Sequence, residues 1–304
     1  MTLRSTEPTT LPLSVVVGTT QPWPEVRPCL DGFYAEARAI GAEVLVAHRG
    51  DGLPADVASS YPGVVAVCEP DASIYRLRSI GMARSRGDVV LLTEDHCVPR
   101  AGWCRAHLEA HRRRPDVAVV GGPVLNGATR RLIDWASFLL GHASYLPPIE
   151  PGERPAVDRS NVSYKRRVLP AEPSPDGRME PVLDSELQAR GEKFLMQPDP
   201  LIDHVQSLGL RGTLSIHFHN GRAVAGLRLM RGVSALERAA RVVASLLVAP
   251  AFFGRTLRAA YGCRPLPTRA IASLPLLGLI TSVVAAGFVT GYVAGAGDSP
   301  RHIR

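Results

Sequence analysis

Two carboxylates, an imidazole and a thiol occur together in the segment L-L-T-E-D-H-C-V-P, from Leu91 to Pro99, directly after an apolar run. If the chain stays extended, Glu94 and His96 point to the same side, and Asp95 turns away or binds a ribose. A carboxylate and an imidazole are suitable ligands for Mn²⁺ or Mg²⁺ beside a diphosphate. The segment therefore indicates a divalent-metal site. The alternative is a strand end whose polar groups only satisfy backbone amides.

The sequence around this segment predicts alternating strands and helices. Short apolar runs separated by longer mixed segments are typical of parallel strands joined by helical crossovers. Ligands of such open sheets collect beyond the carboxyl ends of the strands, and the E-D-H triplet falls at one of these ends. The predicted strands are residues 13–17, 43–47, 64–68, 88–93 and 117–120. The predicted helices are residues 24–41, 73–87, 128–145 and 183–191, and a proline-rich loop or lid is predicted at 147–155.

The composition limits the classes of partner. The formal net charge of +7 comes almost entirely from arginine, because Lys165 and Lys193 are the only lysines. This charge favours phosphate-bearing ligands or an anionic membrane surface. The sequence has no interleaved aromatic and basic residues of the RNA-binding kind and no zinc-finger spacing, which argues against nucleic acid. The cysteines are odd in number and lack a C-x-x-C pair, so we expect no disulfide framework and a reducing compartment.

The C-terminal third is rich in Ala, Arg and Leu and is helical in character. No charged residue occurs from Ala270 to Gly297, and this run exceeds the ~20 residues that cross a hydrocarbon core. We predict a transmembrane helix at 270–296, and the alternative is a buried core hairpin broken at Pro275. A shorter apolar run lies among arginines, so amphipathic helices lying on the membrane are predicted over 226–262. Residues 1–10 are predicted to be a disordered lead-in and residues 297–304 a tail.

The orientation in the membrane follows from the flanking charges. Arginines are more numerous before the predicted span than after it, where Asp298 partly offsets Arg301 and Arg304. The positive-inside rule therefore predicts that the large domain lies in the cytoplasm, and we expect the membrane to be the plasma membrane. A second crossing through residues 242–262 would change this topology.

Four segments together resemble the family 2 glycosyltransferases of the GT-A fold: L-S-V-V-V-G-T-T, E-V-L-V-A-H-R-G-D-G, L-R-S-I-G-M-A-R-S-R-G-D-V-V-L-L-T-E-D-H-C-V-P and N-V-S-Y-K-R-R. The resemblance covers roughly residues 11–225. It implies an α/β nucleotide-diphospho-sugar transferase fold, with a mixed, mainly parallel sheet flanked by helices, followed here by C-terminal membrane helices. It also implies transfer of a sugar from a nucleotide-diphosphate sugar to a hydroxyl of a lipid-linked or glycan acceptor, with inversion and with Mn²⁺ or Mg²⁺. The Q-x-x-R-W motif of processive synthases has no counterpart, which favours transfer of a single sugar.

The resemblance implies roles for individual residues. The implied metal ligands are Glu94, His96 and His204. An acceptor hydroxyl loses its proton to a carboxylate, and Asp184 and Glu186 occupy the catalytic positions. The alternatives are a helix cap for Asp184 and a solvated helix face for Glu186. The residues implied to bind the donor nucleotide are Gly18, Thr19, Thr20, His48, Asp51, Arg78 and Asp95.

Two positions depart from the family pattern, because the acid after the second strand is replaced by His48 and the D-x-D triplet reads E-D-H. These departures favour, as an alternative, a non-catalytic membrane-tethered module that kept the fold. A nucleotidyltransferase normally has a basic phosphate loop after the first strand, which G-T-T-Q-P-W-P lacks. His217 and His219 are two residues apart on a predicted helix and do not share a face, so we expect a packing or membrane-proximal role for them.

Overall fold

The computed structural model describes residues 11–174, 180–230, 232–263 and 266–303, and the predicted lead-in at 1–10 lies outside them. The strands are β1 (Leu11–Thr19), β2 (Glu43–His48), β3 (Val64–Cys68), β4 (Gly87–Glu94), β5 (Cys97–Pro99), β6 (Val117–Gly121), β7 (Val124–Asn126), β8 (Gly152–Glu153), β9 (Val162–Lys165), β10 (Lys193–Met196) and β11 (Ile202–His204). The helices are α1 (Trp23–Ala39), α2 (Ala55–Ser60), α3 (Ile74–Arg84), α4 (Trp103–Arg113), α5 (Leu132–His142), α6 (Glu180–Ala189), α7 (Gly209–Leu229), α8 (Ala235–Ala244), α9 (Val248–Cys263), α10 (Thr268–Ala272) and α11 (Leu274–Ala294).

A mixed sheet of eight strands is the centre of the described fold, in the order β3-β2-β1-β4-β9-β6-β10-β8. The first four run parallel, whereas β9 is antiparallel to β4 and β6. Alternate residues of β1 face opposite apolar clusters, since Leu13, Val15 and Val17 pack with α1 and α4 while Val16 packs with α3. Because both faces are covered, the strands are apolar along their length. The predicted strands are confirmed as β1, β2, β3, β4 and β6.

The predicted helices are also present, with shifted ends. Pro24 lies in the first turn of α1, and the Ser73 hydroxyl caps α3 by accepting a backbone N–H at 3.2 Å. The chain is already helical at Glu180, before the predicted start of α6, and Gly191 follows the helix with a positive φ of 78°. The segment predicted as 128–145 forms α5 from Leu132. Helix α2 was not predicted.

A second sheet of three strands brings distant parts of the chain to the carboxyl edge of β4. Its order is β5-β11-β7. Strand β5 pairs antiparallel with β11, with Cys97 opposite His204, and β11 pairs parallel with β7. The backbone N–H of Val205 also donates to the carbonyl oxygen of His96 at 2.8 Å. These pairings hold His204 beside the end of β4, although the two are far apart in sequence.

The C-terminal third forms a layer of helices in which α11 packs along α7. Glycines allow this close approach, because a Cβ on Gly221 would lie 2.5 Å from the carbonyl oxygen of Val284. Cβ atoms on Gly287 and Gly291 would clash with the backbone of α7 in the same way. One face of α11 is therefore a core face, and its buried residues are Leu277, Ile280, Thr281, Val284, Gly287, Phe288, Gly291 and Tyr292.

Two described helical segments, Ala235–Gly262 and Leu274–Ala294, are long and apolar enough to cross a membrane. Length and composition alone are weak support for a span, because core helices share both. The first segment lies inside the region 226–262, which was predicted to be interfacial. Its helix extends beyond the short apolar run on which that prediction was based. Helix α11 carries Pro275 in its first turn and is not broken there. The crossing predicted for 270–296 stays a prediction.

The segment after α11 turns back instead of extending from the protein. Gly295 and Gly297 have positive φ angles of 76° and 54°, which glycine adopts without strain. The next residues form a short 3₁₀ turn, Ser299–His302, and the side chain of Ile303 is buried. Within the described residues, the predicted tail is therefore packed against the domain.

Two buried histidines of α4 make stability depend on pH. His107 Nδ1 and His111 Nε2 each lie 2.9 Å from the Ser163 hydroxyl. Burial lowers the pKa of His107 to about 4 and that of His111 to about 3. In the unfolded chain both would titrate near pH 6.5. The unfolded state therefore binds more protons below that pH, and stability that is complete above pH 6.5 falls as the pH drops towards 4.

The substitution His111→Leu removes one of these titrating groups. We expect the free energy of unfolding to vary less steeply between pH 6.5 and 4.5, by up to about 1.4 kcal/mol per pH unit. Urea unfolding of both proteins at several pH values measures this slope. Equal slopes for the variant and the wild type would contradict the assignment.

Candidate functional site

Glu94, Asp95 and His96 form a compact charged cluster at the end of β4. His96 Nε2 lies 2.9 Å from Glu94 Oε2, and His96 Nδ1 lies 2.6 Å from Asp95 Oδ1. The expectation that Asp95 turns away is wrong, because β4 ends at Glu94 and the chain makes a turn over the next two residues. The other oxygen of Asp95 accepts a hydrogen bond from the Thr19 hydroxyl. Asp95 and Thr19 therefore bind each other.

The charges in this cluster depend on one another. Burial by itself would lower the pKa of His96, but the hydrogen bonds to Asp95 and Glu94 outweigh it and raise that pKa to about 10. Burial would raise the pKa of Glu94, but the hydrogen bond from His96 and the charges of His96 and Arg78 lower it to about 2. An imidazolium thus lies between two carboxylates. A metal ion bound to His96 would displace a proton from its imidazolium, because a ligating imidazole must be neutral.

The ligand atoms of Glu94, His96, Cys97 and His204 all lie within 4.8 Å of one another. Burial and the nearby His142 and His96 lower the pKa of His204 well below its usual value, so this imidazole is neutral. Burial and the charge of Glu94 raise the pKa of the Cys97 thiol, which keeps it protonated. The remaining donors are one carboxylate and two imidazoles, which fit Mn²⁺ better than the all-oxygen preference of Mg²⁺. The predicted metal ligands are thus brought together.

Arg78 connects this cluster to β1. Its guanidinium is buried and donates to Glu94 Oε1 at 3.2 Å and to the carbonyl oxygen of Arg159 at 2.7 Å. The side chain passes directly over Gly18, where a Cβ would lie 2.5 Å from Arg78 Cγ. A glycine at this position therefore allows a buried cation to reach the end of β4.

The other residues predicted to bind the nucleotide lie at or just after the ends of β1 and β2. His48 stacks on Trp23 with ring centroids 4.6 Å apart, and both of its ring nitrogens bond backbone groups of Gln21 and Gly50. Burial lowers the pKa of His48, so the ring is neutral. Asp51 is exposed on the bend that follows β2. Thr20 lines a separate cavity of about 470 Å³.

A cavity of about 240 Å³ opens onto the metal-ligand cluster, and sequence reasoning missed several of its residues. His142 pairs with Asp158 at 2.6 Å, and no motif marks either residue. His217 also lines the cavity, with Nε2 2.9 Å from the Ser137 hydroxyl, and its expected packing role stays a prediction, whereas His219 stacks on His302. The cavity is lined by Ile74, Tyr75, Arg78, Glu94, His96, Ser137, Gly141, His142, Arg159, His204, Gln206, Ile216, His217, Asn220 and Ile303.

The two predicted catalytic acids differ in position. Asp184 lies inside α6 rather than at its cap, is buried, and accepts a hydrogen bond from the Tyr164 hydroxyl at 2.9 Å. Its second oxygen lies 3.4 Å from Arg159 Nε, and Arg159 lines the cavity. Glu186 is partly exposed, and its Oε2 lies 4.0 Å from a guanidinium nitrogen of Arg190, which directly follows the helix. Asp184 is therefore connected to the cavity through Arg159. Glu186 has the position expected of a residue on a solvated helix face.

Comparison with known proteins bears on the fold. No protein-family model and no curated protein sequence matches this chain. A solved structure does: the mannosyltransferase PcManGT from Pyrobaculum calidifontis in complex with GDP-Man and Mn²⁺, with a TM-score of 0.53. The chain shares the fold of this mannosyltransferase. The match covers 91% of this chain and 86% of that chain at 16% sequence identity, so it confirms the predicted fold class and shows the fold alone.

The substitution Gly18→Ala tests the close approach of Arg78. The new methyl group would push Arg78 away from Glu94, and we expect a loss of about 1–3 kcal/mol in the free energy of unfolding. Gly254→Ala is the control, because a Cβ there meets no atom within 4 Å. Urea unfolding compares the two variants. Equal stability of both would contradict the described packing.

The substitution His204→Ala tests the metal-ligand cluster. We expect the affinity for Mn²⁺ to fall by at least about tenfold, because loss of a direct ligand costs at least as much as loss of a group that only orients a ligand, which costs about 10–100-fold. His111→Leu, which removes a buried imidazole elsewhere, is expected to bind Mn²⁺ as the wild type does. Titration of free Mn²⁺ by electron paramagnetic resonance measures the affinities. Wild-type affinity in His204→Ala would exclude this residue as a ligand.

Proposed function

We propose that the protein is a family 2 glycosyltransferase that moves a single sugar from a nucleotide-diphosphate sugar to a hydroxyl of a lipid-linked or glycan acceptor, with inversion. The observation that carries this proposal is the position of Glu94, His96 and His204 beside the buried Arg78. They lie at the carboxyl edge of β4, where open α/β sheets bind ligands. The shared fold with a mannosyltransferase solved with GDP-Man and Mn²⁺ supports the proposal.

The cluster would hold the metal and position the donor. Glu94, His96 and His204 would bind Mn²⁺, and the metal when bound would offset the charge of the departing diphosphate. Arg78 supplies a fixed positive charge at the same cavity. Gly18, Thr19 and Thr20 at the end of β1 are proposed to surround the nucleoside, together with His48, Asp51 and Asp95. The hydrogen bond between Thr19 and Asp95 connects this end of β1 to the cluster.

Asp184 is the proposed general base. A single displacement with inversion needs a carboxylate that takes the acceptor proton while the oxygen attacks the anomeric carbon. The Asp184 carboxylate lies 3.4 Å from Arg159 Nε, and an acceptor that displaces the Arg159 guanidinium would meet this carboxylate. Glu186 lines none of the described cavities. It would therefore affect the reaction only through the position of α6, which carries Asp184.

A second cavity of about 780 Å³ supports an acceptor with an apolar part. It lies between α5, the proline-rich loop and α9, and it combines Leu139, Tyr145 and Ile149 with Arg159 and Arg255. Arg159 lines this cavity and the cavity of the metal ligands, so the two adjoin. A lipid-linked acceptor could enter here with its polar end towards Asp184.

The exposed side of α8 and the turn after it supports attachment to the cytoplasmic face of the plasma membrane. Leu236, Val243, Leu246 and Leu247 are between 66% and 82% exposed. Such apolar residues next to arginines are typical of helices that lie in the headgroup region. We therefore propose that residues 226–262 bind the membrane surface.

Binding and turnover are tested together with a panel of UDP-, GDP- and dTDP-sugars, with and without Mn²⁺, and a membrane lipid extract. We expect one donor to raise the melting temperature and to release its nucleoside diphosphate. Asp184→Asn is expected to keep donor binding and to lose at least about a hundredfold in transfer rate. Asp56→Asn, an exposed carboxylate on α2, is the control.

The possible results separate the two candidate functions. Donor binding without transfer by the wild type would favour the non-catalytic module that kept the fold. Binding of no donor, together with no release of any diphosphate, would overturn the glycosyltransferase proposal.

A further inference from the structure

The C-terminal segment Ser299–Ile303 is anchored beside the candidate site. The Ser299 hydroxyl lies 3.0 Å from His219 Nδ1 and is buried, and the rings of His302 and His219 stack with centroids 4.4 Å apart. Ile303 is 5% exposed and packs with Ile74 and Ile216, among other apolar side chains. Polar and apolar contacts therefore hold this segment against α3 and α7.

The anchored segment forms a wall of two cavities. Ile303 lines the 240 Å³ cavity of the metal ligands, and Arg301 and His302 line the 470 Å³ cavity that contains Thr20. Ile216 lines both cavities, so they adjoin across α7. A ligand that extends from the end of β1 to the metal ligands would therefore pass along the C-terminal segment.

The side chains that line the 470 Å³ cavity favour an anionic ligand. The guanidinium groups of Arg49 and Arg301 line it, together with the hydroxyls of Thr20 and Ser215. No carboxylate is present among the described residues that line this cavity. Guanidinium groups bind phosphate oxygens through paired, charge-assisted hydrogen bonds, and hydroxyls add further donors. The ligand that fits is one that carries phosphate.

We propose that the C-terminal segment completes the donor site and that Arg301 binds a phosphate of the nucleotide-diphosphate sugar. The identity of the ligand rests on the proposed function. The return of the chain from α11 then places Arg301 at the carboxyl edge of the sheet. In this role, the C-terminal segment and the large domain lie on the same side of any membrane.

Isothermal titration tests this assignment on the full chain with inorganic pyrophosphate, UDP and GDP, each in the presence of Mn²⁺. We expect Arg301→Gln to weaken the tightest of these ligands by about tenfold or more, as the loss of a charged hydrogen bond does. Arg301→Lys is expected to recover part of the loss, because the positive charge remains. Arg105→Gln, an exposed arginine of α4, should bind within about twofold of the wild type. An unchanged melting temperature of Arg301→Gln excludes a folding defect as the cause of any loss.

The results distinguish this inference from the proposed function. If the wild type transfers sugar and Arg301→Gln binds all three ligands like Arg105→Gln, the inference fails and the function stands. If pyrophosphate binding depends on Arg301 but no donor is turned over, the inference stands and the function fails. If the wild type binds none of the three ligands, both fail.

Discussion

Compensation of charge at the end of β4 is the interaction on which the site depends. Glu94 leaves the sheet at its carboxyl edge, and a poorly solvated carboxylate there requires a partner. Arg78 provides one from α3 and His96 provides another from the turn. Gly18 leaves space for the arginine, and the pairing of β5 with β11 adds His204 on the far side. The same arrangement that stabilises Glu94 also brings together side chains that could hold a metal ion.

The C-terminal third belongs to this arrangement. Close glycine contacts hold α11 against α7, and α7 presents His217 and Asn220 to the cavity. The chain then turns back and buries Ile303 beside Ile74 of α3. Helix α9 lines the 780 Å³ cavity, which adjoins the cavity of the candidate metal ligands.

Local patterns in the sequence predicted the strands and the position of the E-D-H triplet, because apolar runs that end in polar residues are local signals. The orientation of Asp95 was not predicted correctly, because the prediction assumed side chains alternating along an extended strand. Strand β4 ends at Glu94, one residue too early for that pattern. His142, His217 and Ile303 reach the site only through packing between distant helices, which no spacing records. An apolar run such as 270–296 has the same composition whether it contacts lipid or a neighbouring helix. The contacts of α11 with α7 were therefore not predictable from the sequence.

The central claim is that Glu94, His96 and His204 bind Mn²⁺ next to the donor diphosphate. Electron–nuclear double resonance of Mn²⁺ bound to the full chain with the tightest-binding nucleoside diphosphate tests this claim most directly. The account predicts couplings to imidazole nitrogen and to phosphorus in the same spectrum. A spectrum with phosphorus coupling but no nitrogen coupling would contradict the assigned ligands.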